Sequence, residues 1–211
     1  MNPLACITCG PAYEKIDQVR RITNFSTGEI GAILAEAFSL AGCEVICFRS
    51  EASTFPAPGG VEVRPFSTNE SLASGLQSLA RAPAIVLHAA ALCDFVLESI
   101  EGADPAEKLS SRSGSIQLTL KPAEKVLPKI RGWFPGAKIV GWKYELDGSR
   151  EQAITRAEDQ IRASNTDACV VNGTAYGAGF GLIASDFRIQ HFADKSTLAT
   201  RLAHLFPLTK L

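Results

Sequence analysis

Residues 4–48 have the sequence LACITCGPAYEKIDQVRRITNFSTGEIGAILAEAFSLAGCEVICF, in which two short apolar stretches flank an amphipathic segment. The stretches 4–8 and 44–48 are apolar on both faces, which is typical of buried strands in a parallel sheet. Between them, residues 27–41 carry apolar side chains every three or four positions, and Gly42 follows as a helix stop. The order strand, helix, strand predicts a β-α-β unit with two parallel strands.

The same alternation continues along the rest of the chain. The patterns predict further strands at 61–66, 84–90, 115–120, 138–144, 167–172 and 187–192, and helices at 67–82, 150–163 and 197–206. We therefore expect an α/β fold, a Rossmann-like three-layer sandwich with a mainly parallel sheet covered by helices on both faces. A small subsidiary β-hairpin layer is expected around 107–120. No linker or repeat divides the chain, so residues 1–211 are expected to form a single domain.

The composition is that of an ordinary globular chain with balanced charge. Hydrophobic residues make up 46% of the 211 residues, and the mean hydropathy is +0.09, which excludes a largely disordered chain. The 21 Lys and Arg residues against 22 Asp and Glu residues leave a net charge of −1. Such a chain has no overall attraction to nucleic acid or to an anionic membrane, and no apolar run of 18 residues occurs. We therefore expect neither a nucleic acid nor a membrane as partner.

The cysteines indicate a reducing compartment rather than a metal site. Most of the six lie in apolar runs, where cysteine behaves as a small hydrophobic residue. Cys6 and Cys9 have CxxC spacing, but they fall on a predicted strand, so their side chains should point to opposite faces. The first residues also lack the basic start and apolar core of a signal peptide. A cytoplasmic location is therefore expected.

Ligands of open α/β sheets bind beyond the carboxyl ends of the strands, near a switch in strand order. Four segments rich in Gly, Asn, Ser or Asp follow predicted strands, at 9–28, 88–95, 142–148 and 172–181. In the first of these, Ser26, Thr27 and Gly28 lie at the start of a helix, where unpaired amides and the positive dipole end suit a phosphate. The alternative is that Ser26 or Thr27 only caps the helix.

Familiar nucleotide-binding signatures are missing or incomplete. The first strand is not followed by GxGxxG, and the chain has no Gly-Lys-Ser/Thr of a P-loop. Gly177-Ala-Gly179-Phe-Gly181 follows a strand, but the next residues look extended, so the helix that would hold a pyrophosphate is absent. An NAD(P) oxidoreductase is therefore the least favoured hypothesis.

Several segments match one known family in order and spacing. The opening ITCGPAYEKIDQVRRITNFSTGEIG at 7–31 is followed by HAAALCDF at 88–95, EKLS at 107–110, GWKYE at 141–145, DACVVN at 167–172 and the pair Gly179-Phe180. Together they resemble the phosphopantothenoylcysteine synthetase (phosphopantothenate–cysteine ligase) family over about residues 4–205.

The resemblance implies a ligase of coenzyme A biosynthesis. Members of the family activate the carboxylate of 4′-phosphopantothenate with CTP or ATP, which gives an acyl-nucleotide and pyrophosphate, and cysteine then displaces the nucleoside monophosphate. The family is homodimeric and Rossmann-like, and Mg²⁺ accompanies the nucleotide. In many bacteria a flavin-dependent decarboxylase precedes this domain. This chain is too short to contain it, so we expect the stand-alone form, with a separate phosphopantothenoylcysteine decarboxylase as pathway partner.

Two residues match the catalytic positions of the family. Asn24 matches an asparagine that contacts the acyl-nucleotide, where its amide can donate to the activated carbonyl and accept from the incoming amine. The alternative is a left-handed or turn asparagine before a helix. Lys108 matches the catalytic lysine, whose ammonium stabilises charge that grows in the transition state. The alternative is a solvated loop lysine.

The resemblance also implies a wider set of binding residues, with metal ligands unassigned. The nucleotide-binding residues are Gly10, Ser26, Thr27, Gly28, Ala89, Ala90, Asp94, Lys125, Lys143 and Phe180, and the substrate-binding residues are Arg20, Asn24 and Asn172. Structural alternatives stay open for several of them: an ion pair of Arg20 with Asp17, a turn role for Asn172, and either a lid-like loop or a core position for Phe180. His88 is expected to be a neutral core histidine.

The sequence departs from the family pattern at phosphate-binding positions. Pro11 and Ala12 replace a backbone donor and a hydroxyl after the first strand, and Glu29 stands where lysine is common. The lysine-rich loop is reduced to Lys108-Leu-Ser-Ser, and segment 122–127 looks closer to ATP-using than to CTP-using members, which leaves the base open. A second hypothesis is therefore a paralogue that binds a nucleotide or phosphate ligand without ligase activity.

Overall fold

The computed structural model describes residues 2–101, 108–110 and 114–205. Its strands, in chain order, are β1 (Leu4–Cys9), β2 (Tyr13–Lys15), β3 (Arg21–Thr23), β4 (Glu44–Ser50), β5 (Glu62–Phe66), β6 (Ile85–His88), β7 (Phe95–Ile100), β8 (Leu118–Pro122), β9 (Lys138–Tyr144), β10 (Ala168–Asn172), β11 (Phe180–Ala184) and β12 (Ile189–Phe192). The helices are α1 (Glu29–Leu40), α2 (Asn69–Gln77), α3 (Leu127–Trp133), α4 (Arg150–Ser164) and α5 (Lys195–Leu205).

The central sheet has the strand order β12-β11-β10-β9-β6-β1-β4-β5. The strands from β10 to β5 pair in parallel, whereas β11 and β12 are added antiparallel at one edge. The chain first builds outward from β1 through β4 to β5, and then starts again on the other side of β1 with β6, β9 and β10. The strand order therefore switches between β1 and β6.

Helices cover both faces of this sheet, which confirms the predicted Rossmann-like three-layer architecture. On one face, α1 and α5 enclose a core that contains Ile7, Leu34 and Leu198. On the other face, α2, α3 and α4 cover two further clusters, one of which contains Cys6. Cys9 lies in the first core, so the two cysteines of the CxxC sequence point to opposite faces, as predicted.

Most predicted elements are present, with shifted ends. The helix predicted at 67–82 is α2, which ends at Gln77 with Ser78 as its C-cap, five residues before the predicted end. Its start is as predicted, with Thr68 as N-cap in a capping box with Ser71. The short helix α3 was not predicted, because its Pro and Gly obscure a seven-residue amphipathic pattern.

The small strands are where the prediction is wrong. The strand expected at 115–120 is β8, and its hairpin partner is β7, so the hairpin is not confined to 107–120; part of that range lies outside the described residues. The hairpin β2–β3 was not predicted, since strands of three residues are too short to show alternation. Phe180 was expected in a lid-like loop, but it is the first residue of β11.

Within 2–101, 108–110 and 114–205, none of the helices combines the length and the apolar character needed to span a bilayer.

Candidate functional site

The residues predicted to bind ligands lie along the carboxyl edge of the sheet. The parallel strands from β10 to β5 all end at this edge, and the switch in strand order lies between the neighbours β1 and β6. The loops that leave these two strands stay paired as far as Ala12, whose amide donates to the carbonyl of Ala91 at 3.0 Å. Open α/β sheets bind ligands in the crevice beyond the strand ends at such a switch point, so the topology supports the location expected from the sequence.

Gly10 and the alanines after β6 form one wall of the crevice. Gly10 has a φ of +85°, and its carbonyl accepts a 3.0 Å hydrogen bond from the amide of Ala91. The amide of Ala89 donates to the carbonyl of Thr8 at 3.1 Å. Ala89 and Ala90 are half buried, Ala89 against the core under α1 and Ala90 against the core on the other face, so small side chains stand on both sides of the chain here.

The N-terminus of α1 forms a second wall. The helix begins at Glu29, and Gly28 is its N-cap, with a left-handed φ of +84° and no side-chain cap bond. The alternative that Ser26 or Thr27 is the N-cap is therefore wrong, although Thr27 Oγ1 accepts a 3.3 Å hydrogen bond from the amide of Glu29. The other first-turn amides have no acceptor within the helix, and they form a donor surface suited to an anion.

The negative charge of Glu29 is balanced within the fold. Its carboxylate forms an ion pair with the ammonium of Lys195, the first residue of α5. Glu29 therefore does not leave an uncompensated negative charge beside the α1 amides. Lys195 could not be found from sequence, because 166 positions separate it from Glu29 and no pattern links them.

A third wall, which sequence reasoning missed, is the loop after β4. The carbonyl of Thr27 accepts hydrogen bonds from the amides of Thr54 and Phe55, at 3.2 and 3.0 Å. Arg49 donates to the carbonyls of Ser53 and Phe55, at 3.1 and 2.6 Å. The strand before this loop was predicted, so the rule that ligands lie beyond strand ends would have found it.

Ser53 closes the space between the other two walls. A Cβ added to Gly10 would lie 1.9 Å from Ser53 Oγ, and one added to Gly28 would lie 2.8 Å from the same atom. The hydroxyl is buried, and among the described residues it has no hydrogen-bond partner. A side chain at either glycine would therefore have to displace the Ser53 hydroxyl, and both positions also have the left-handed backbone that favours glycine.

Asn24 bridges the first and second walls. It is exposed, and its Nδ2 donates a 2.8 Å hydrogen bond to the carbonyl of Leu92, in the loop after β6. The left-handed alternative for Asn24 is wrong, because the non-glycine residues with positive φ in the described chain are Asn165 and Phe187. The bond fixes the Asn24 amide beside the loop after β6.

The second predicted catalytic residue, Lys108, lies beside Arg20 and Asp17. Lys108 is exposed, and its neighbour Leu109 is buried. The ion pair of Asp17 with Arg20 is confirmed; the side chain of Asp17 is buried, whereas that of Arg20 is 41% exposed. Arg20 Nη1 also donates to the carbonyl of Leu109 at 3.2 Å. Glu107, which the resemblance includes, lies outside the described residues.

Asp94 and Lys125, both predicted to bind nucleotide, form an exposed ion pair with each other. The segment before Asp94 is held by Asn69, whose side chain donates to the Cys93 carbonyl at 2.8 Å and accepts from its amide at 3.0 Å. Asp94 therefore projects from a fixed backbone beyond the end of β6, and its side chain is exposed.

The residues present suit magnesium only together with a nucleotide. In the described part of the chain, no three His, Cys, Asp or Glu side chains are grouped as a metal site. Mg²⁺ bound with nucleotides is commonly held by one or two carboxylates and by substrate phosphates, so a full protein cage is unnecessary. Asp94 is the exposed carboxylate beyond the end of β6 that would serve.

The remaining predicted residues lie further along the same edge. Lys143 Nζ is 3.1 Å from Glu145 Oε1, and Glu145 also pairs with Arg156. Burial raises the pKa of Glu145, but its bonds to Arg156 and Lys143 outweigh this and hold the pKa below its usual value. The carbonyl of Asn172 accepts a 2.8 Å bond from the Glu145 amide.

Phe180 and His88 have mainly structural surroundings. Phe180 is half buried and packs against the core under α1, so its core alternative is confirmed. His88 is buried, and its Nδ1 lies 2.9 Å from Thr8 Oγ1. Burial lowers the pKa of His88 to about 4, so the ring is neutral at physiological pH, as expected for a core histidine.

Comparison with known proteins now gives the family. The sequence profile of the DNA/pantothenate metabolism flavoprotein C-terminal domain matches residues 3–203. The chain belongs to this family. A coenzyme A biosynthesis bifunctional protein CoaBC of Thermococcus kodakarensis is 32% identical over 170 residues, which are 79% of this chain and 40% of that protein. The chain thus spans about two fifths of the length of that curated relative.

Solved structures share the fold of this family member. The DNA/pantothenate metabolism flavoprotein from Streptococcus pneumoniae matches with a TM-score of 0.86 at 21% identity, over 98% of this chain and 99% of that one. A Cab2 H337A mutant in complex with phosphopantothenate-cysteine matches with a TM-score of 0.75 at 18% identity, over 97% and 87% of the two chains. At these identities the likeness establishes the architecture.

In this flavoprotein C-terminal domain, the crowding around Gly10 leads us to expect that a side chain at this position destabilises the fold. Gly10→Ala adds a Cβ at 1.9 Å from Ser53 Oγ, whereas Gly42→Ala adds one in open space at the same φ of +85°. Both changes place alanine in left-handed backbone, at about 1–2 kcal/mol. Gly10→Ala should lower the free energy of unfolding by about 1–3 kcal/mol more than Gly42→Ala does, because inserting a methyl group into a packed site typically costs that much. Urea unfolding measures the free energy of unfolding of both variants. Equal decreases would show that the Ser53 side chain moves aside without cost.

The buried histidine predicts a stability loss at mildly acidic pH. Since the pKa of His88 is about 4 in the folded state against its ordinary value of 6.5, the stability that the neutral ring contributes is present above pH 6.5 and is lost as the pH falls towards 4. Between pH 7 and 5 the loss should be about 2 kcal/mol, at 1.36 kcal/mol for each pKa unit. The variant His88→Asn keeps an acceptor for Thr8, and its free energy of unfolding, measured with urea, should change less between pH 7 and 5. An equally large change in this variant would assign the pH dependence to other groups.

Proposed function

We propose that this protein is a phosphopantothenate–cysteine ligase of coenzyme A biosynthesis, which uses CTP or ATP with Mg²⁺ as the activating co-substrate. The observation that carries the proposal is the convergence of Asn24 with the amides of α1 and the Gly10 turn at the β1–β6 crevice. Family membership supports it. So do the name of the Thermococcus kodakarensis relative, which refers to coenzyme A biosynthesis, and the Cab2 complex with phosphopantothenate-cysteine.

The first half-reaction would activate the carboxylate. A carboxylate oxygen of 4′-phosphopantothenate attacks the α-phosphorus of the nucleotide, and the bond to the β-phosphate oxygen breaks, which releases pyrophosphate. The α1 amides, Ser26, Thr27, Gly10 and Gly28 would hold phosphate oxygens. The ammonium of Lys108 would stabilise the charge that grows on the phosphates in the transition state.

The second half-reaction would form the amide. The cysteine nitrogen attacks the acyl carbon and loses a proton, and the bond from that carbon to the nucleotide oxygen breaks, which releases nucleoside monophosphate. Nδ2 of Asn24 would donate to the acyl oxygen as it gains charge, and Oδ1 would accept from the attacking amine. The wall that contains Ala89 and Ala90 would lie against the nucleotide.

The other predicted contacts are assigned by their position along the edge. Asp94 and Lys125 would contact the ribose or phosphates with Mg²⁺, which would supply charge neutralisation when bound. Lys143 and Asn172 would border the nucleotide from the ends of β9 and β10, and Phe180 would do so from the start of β11. Arg20, which keeps a second terminal nitrogen besides the Nη1 used by Asp17, would bind the substrate phosphate.

The decisive experiment separates the two half-reactions. Purified protein with 4′-phosphopantothenate, Mg²⁺ and either CTP or ATP should release pyrophosphate without cysteine, and should form phosphopantothenoylcysteine when cysteine is added. The preferred nucleotide follows from the same assay. Nucleotide binding without pyrophosphate release, from folded protein, would favour the paralogue without ligase activity.

Variants at the two predicted catalytic residues should block different steps. Lys108→Ala should lower pyrophosphate release by at least about 100-fold, as loss of one stabilising donor does. Asn24→Ala should leave pyrophosphate release measurable but prevent product formation with cysteine. Lys121→Ala removes an exposed lysine on β8 and serves as control, with activity within about twofold. Near-normal product formation by Asn24→Ala would remove Asn24 from the mechanism.

We also propose that the protein is a homodimer in a reducing cytoplasm, with a separate decarboxylase in its pathway. Large apolar side chains project from the hairpins, including Phe25, Val19 at 62% and Phe95 at 54% exposure, and a second copy would cover them. Light scattering should give twice the 22.5 kDa mass of the chain. Phe25→Asp should give the monomer mass, whereas Leu40→Ser, at an exposed position on α1, should not. The reverse result would place the interface on α1.

The cytoplasmic assignment is supported by the thiols. All six cysteines are free, and five of them are buried. This is the state expected in a reducing compartment, where disulfides are rare.

A further inference from the structure

The carboxylate of Asp17 joins two segments that are far apart in sequence. Its Oδ1 accepts hydrogen bonds from the amides of Val19 and Arg20, at 2.8 and 2.7 Å, which closes the turn between β2 and β3. Its Oδ2 accepts from the amide of Leu109 at 3.1 Å, 92 positions along the chain. One buried side chain therefore both shapes the hairpin turn and binds the segment that carries Lys108.

The peptide groups of Leu109 are held from both directions. The Leu109 amide donates to Asp17, and the Leu109 carbonyl accepts a 3.2 Å bond from Nη1 of Arg20, which itself pairs with Asp17. Leu109 is 7% exposed, so its side chain is also fixed by burial. A backbone position that is bound at its amide, carbonyl and side chain has little freedom to shift.

The hydrogen bonds that join Asp17 and Arg20 to Leu109 form a clamp, and the ionised state of the Asp17 carboxylate strengthens it. Burial raises its pKa, but the hydrogen bonds from the amides of Val19, Leu109 and Arg20, together with the Arg20 charge, outweigh burial and hold the pKa below its usual value. The carboxylate is therefore ionised at neutral pH. Hydrogen bonds to an ionised acceptor are the stronger kind, which strengthens both the turn and the link to Leu109.

The clamp connects the two predicted catalytic residues. Lys108 immediately precedes Leu109, so its Cα lies 3.8 Å from a fixed position. The turn that Asp17 closes leads directly into β3, and Asn24 is the first residue after β3. The hairpin that ends at Asn24 and the segment that begins at Lys108 thus share one carboxylate as their common support.

We propose that Asp17 is a positioning residue that holds the Lys108 backbone in register with Asn24, so that both side chains face the same ligand. This role rests on the proposed ligase function. Asp17 does not touch substrate; it acts through Arg20 and Leu109. A purely local role, in which Asp17 only stabilises the β2–β3 turn, would leave the placement of Lys108 unchanged.

The variant Asp17→Asn tests the clamp with little change of shape. The amide Oδ1 can still accept from Val19 and Arg20, but an NH₂ group replaces the oxygen that faces the Leu109 amide and the Arg20 guanidinium. Two donors then oppose each other at Leu109, so this link is lost while the turn keeps an acceptor. Hydrogen–deuterium exchange at the Leu109 amide should become at least about tenfold faster.

A matched control exists in the turn between β11 and β12. Asp186 accepts from the amide of Arg188 at 3.2 Å and pairs with its Nε at 2.6 Å, so it also joins a turn amide and a turn arginine, but at an exposed position. This turn lies at the opposite edge of the sheet from the crevice, because β11 runs antiparallel to β10. Asp186→Asn should leave Leu109 exchange and activity within about twofold of the wild type.

The kinetic readout distinguishes positioning from substrate binding. For pyrophosphate release, Asp17→Asn should lower kcat by about 10- to 100-fold, with KM for the nucleotide changed less than about threefold, because misplacement of a charge that acts in the transition state leaves ground-state binding largely intact. Thermal unfolding of both variants reports whether each remains folded at the assay temperature.

Each outcome decides the proposal. Faster Leu109 exchange with a kcat loss supports it. Faster exchange with normal kcat, or a kcat loss without faster exchange, overturns it. If the wild type itself releases no pyrophosphate with CTP or ATP, the ligase function fails, and the catalytic role of Asp17 fails with it. The exchange experiment then still reports separately whether Asp17 holds the Leu109 segment.

Discussion

The close approach of α1 to β1 is the constraint on which the candidate site depends. A Cβ on Gly31 would lie 2.0 Å from Cβ of Cys9, so only glycine allows the helix to pack this near the strand. The first turn of α1 is thereby brought to the end of β1, where Gly10 turns the chain. Ser53 occupies the space that two glycines leave. Three backbones therefore converge where an anion would bind, and the donors there are amides in fixed positions.

Amides held in this way suit an anion better than flexible side chains would. They need little reorganisation when charge develops, because the sheet and the helix have already fixed their directions. This lessens the consequence of the changes at Pro11 and Ala12. The carbonyl of Pro11 is held by Ser50 Oγ at 2.5 Å, and Ala12 is buried, so this segment serves as structure. The backbone amides in the first turn of α1 remain as donors for an anion, and the charge of Glu29 beside them is balanced by Lys195.

The sequence predicted those features that leave a periodic or local signal. Buried strands such as β1 and the amphipathic α1 are visible because burial imposes apolar runs and a 3.6-residue period. The carboxyl edge followed from parallel topology alone, before any contact was known. The β2–β3 hairpin left no signal, since three residues cannot show a period. The contact of Asp17 with Leu109 left none either, because a bond across 92 positions depends on the completed fold.

Charge at the candidate site is arranged so that a ligand can exchange partners. The ammonium of Lys125, which the proposed function assigns to the nucleotide, is held by Asp94 in an exposed ion pair. Exposed ion pairs contribute only about 0–1 kcal/mol, so a phosphate can displace this carboxylate from the lysine at small cost. The carboxylate that holds Lys143 is that of Glu145, which is buried but keeps Arg156 as a second partner.

The pair of Arg20 with Asp17 is different, because Asp17 is buried and also holds Leu109. Separation of this pair would leave a buried carboxylate with fewer donors, which is costly. In the proposed reaction, Arg20 would therefore meet a substrate phosphate with the rest of its guanidinium while Nη1 stays on Asp17. The proposed site thus combines Lys125, whose exposed carboxylate partner a ligand can replace, with Arg20, whose buried partner keeps it in place.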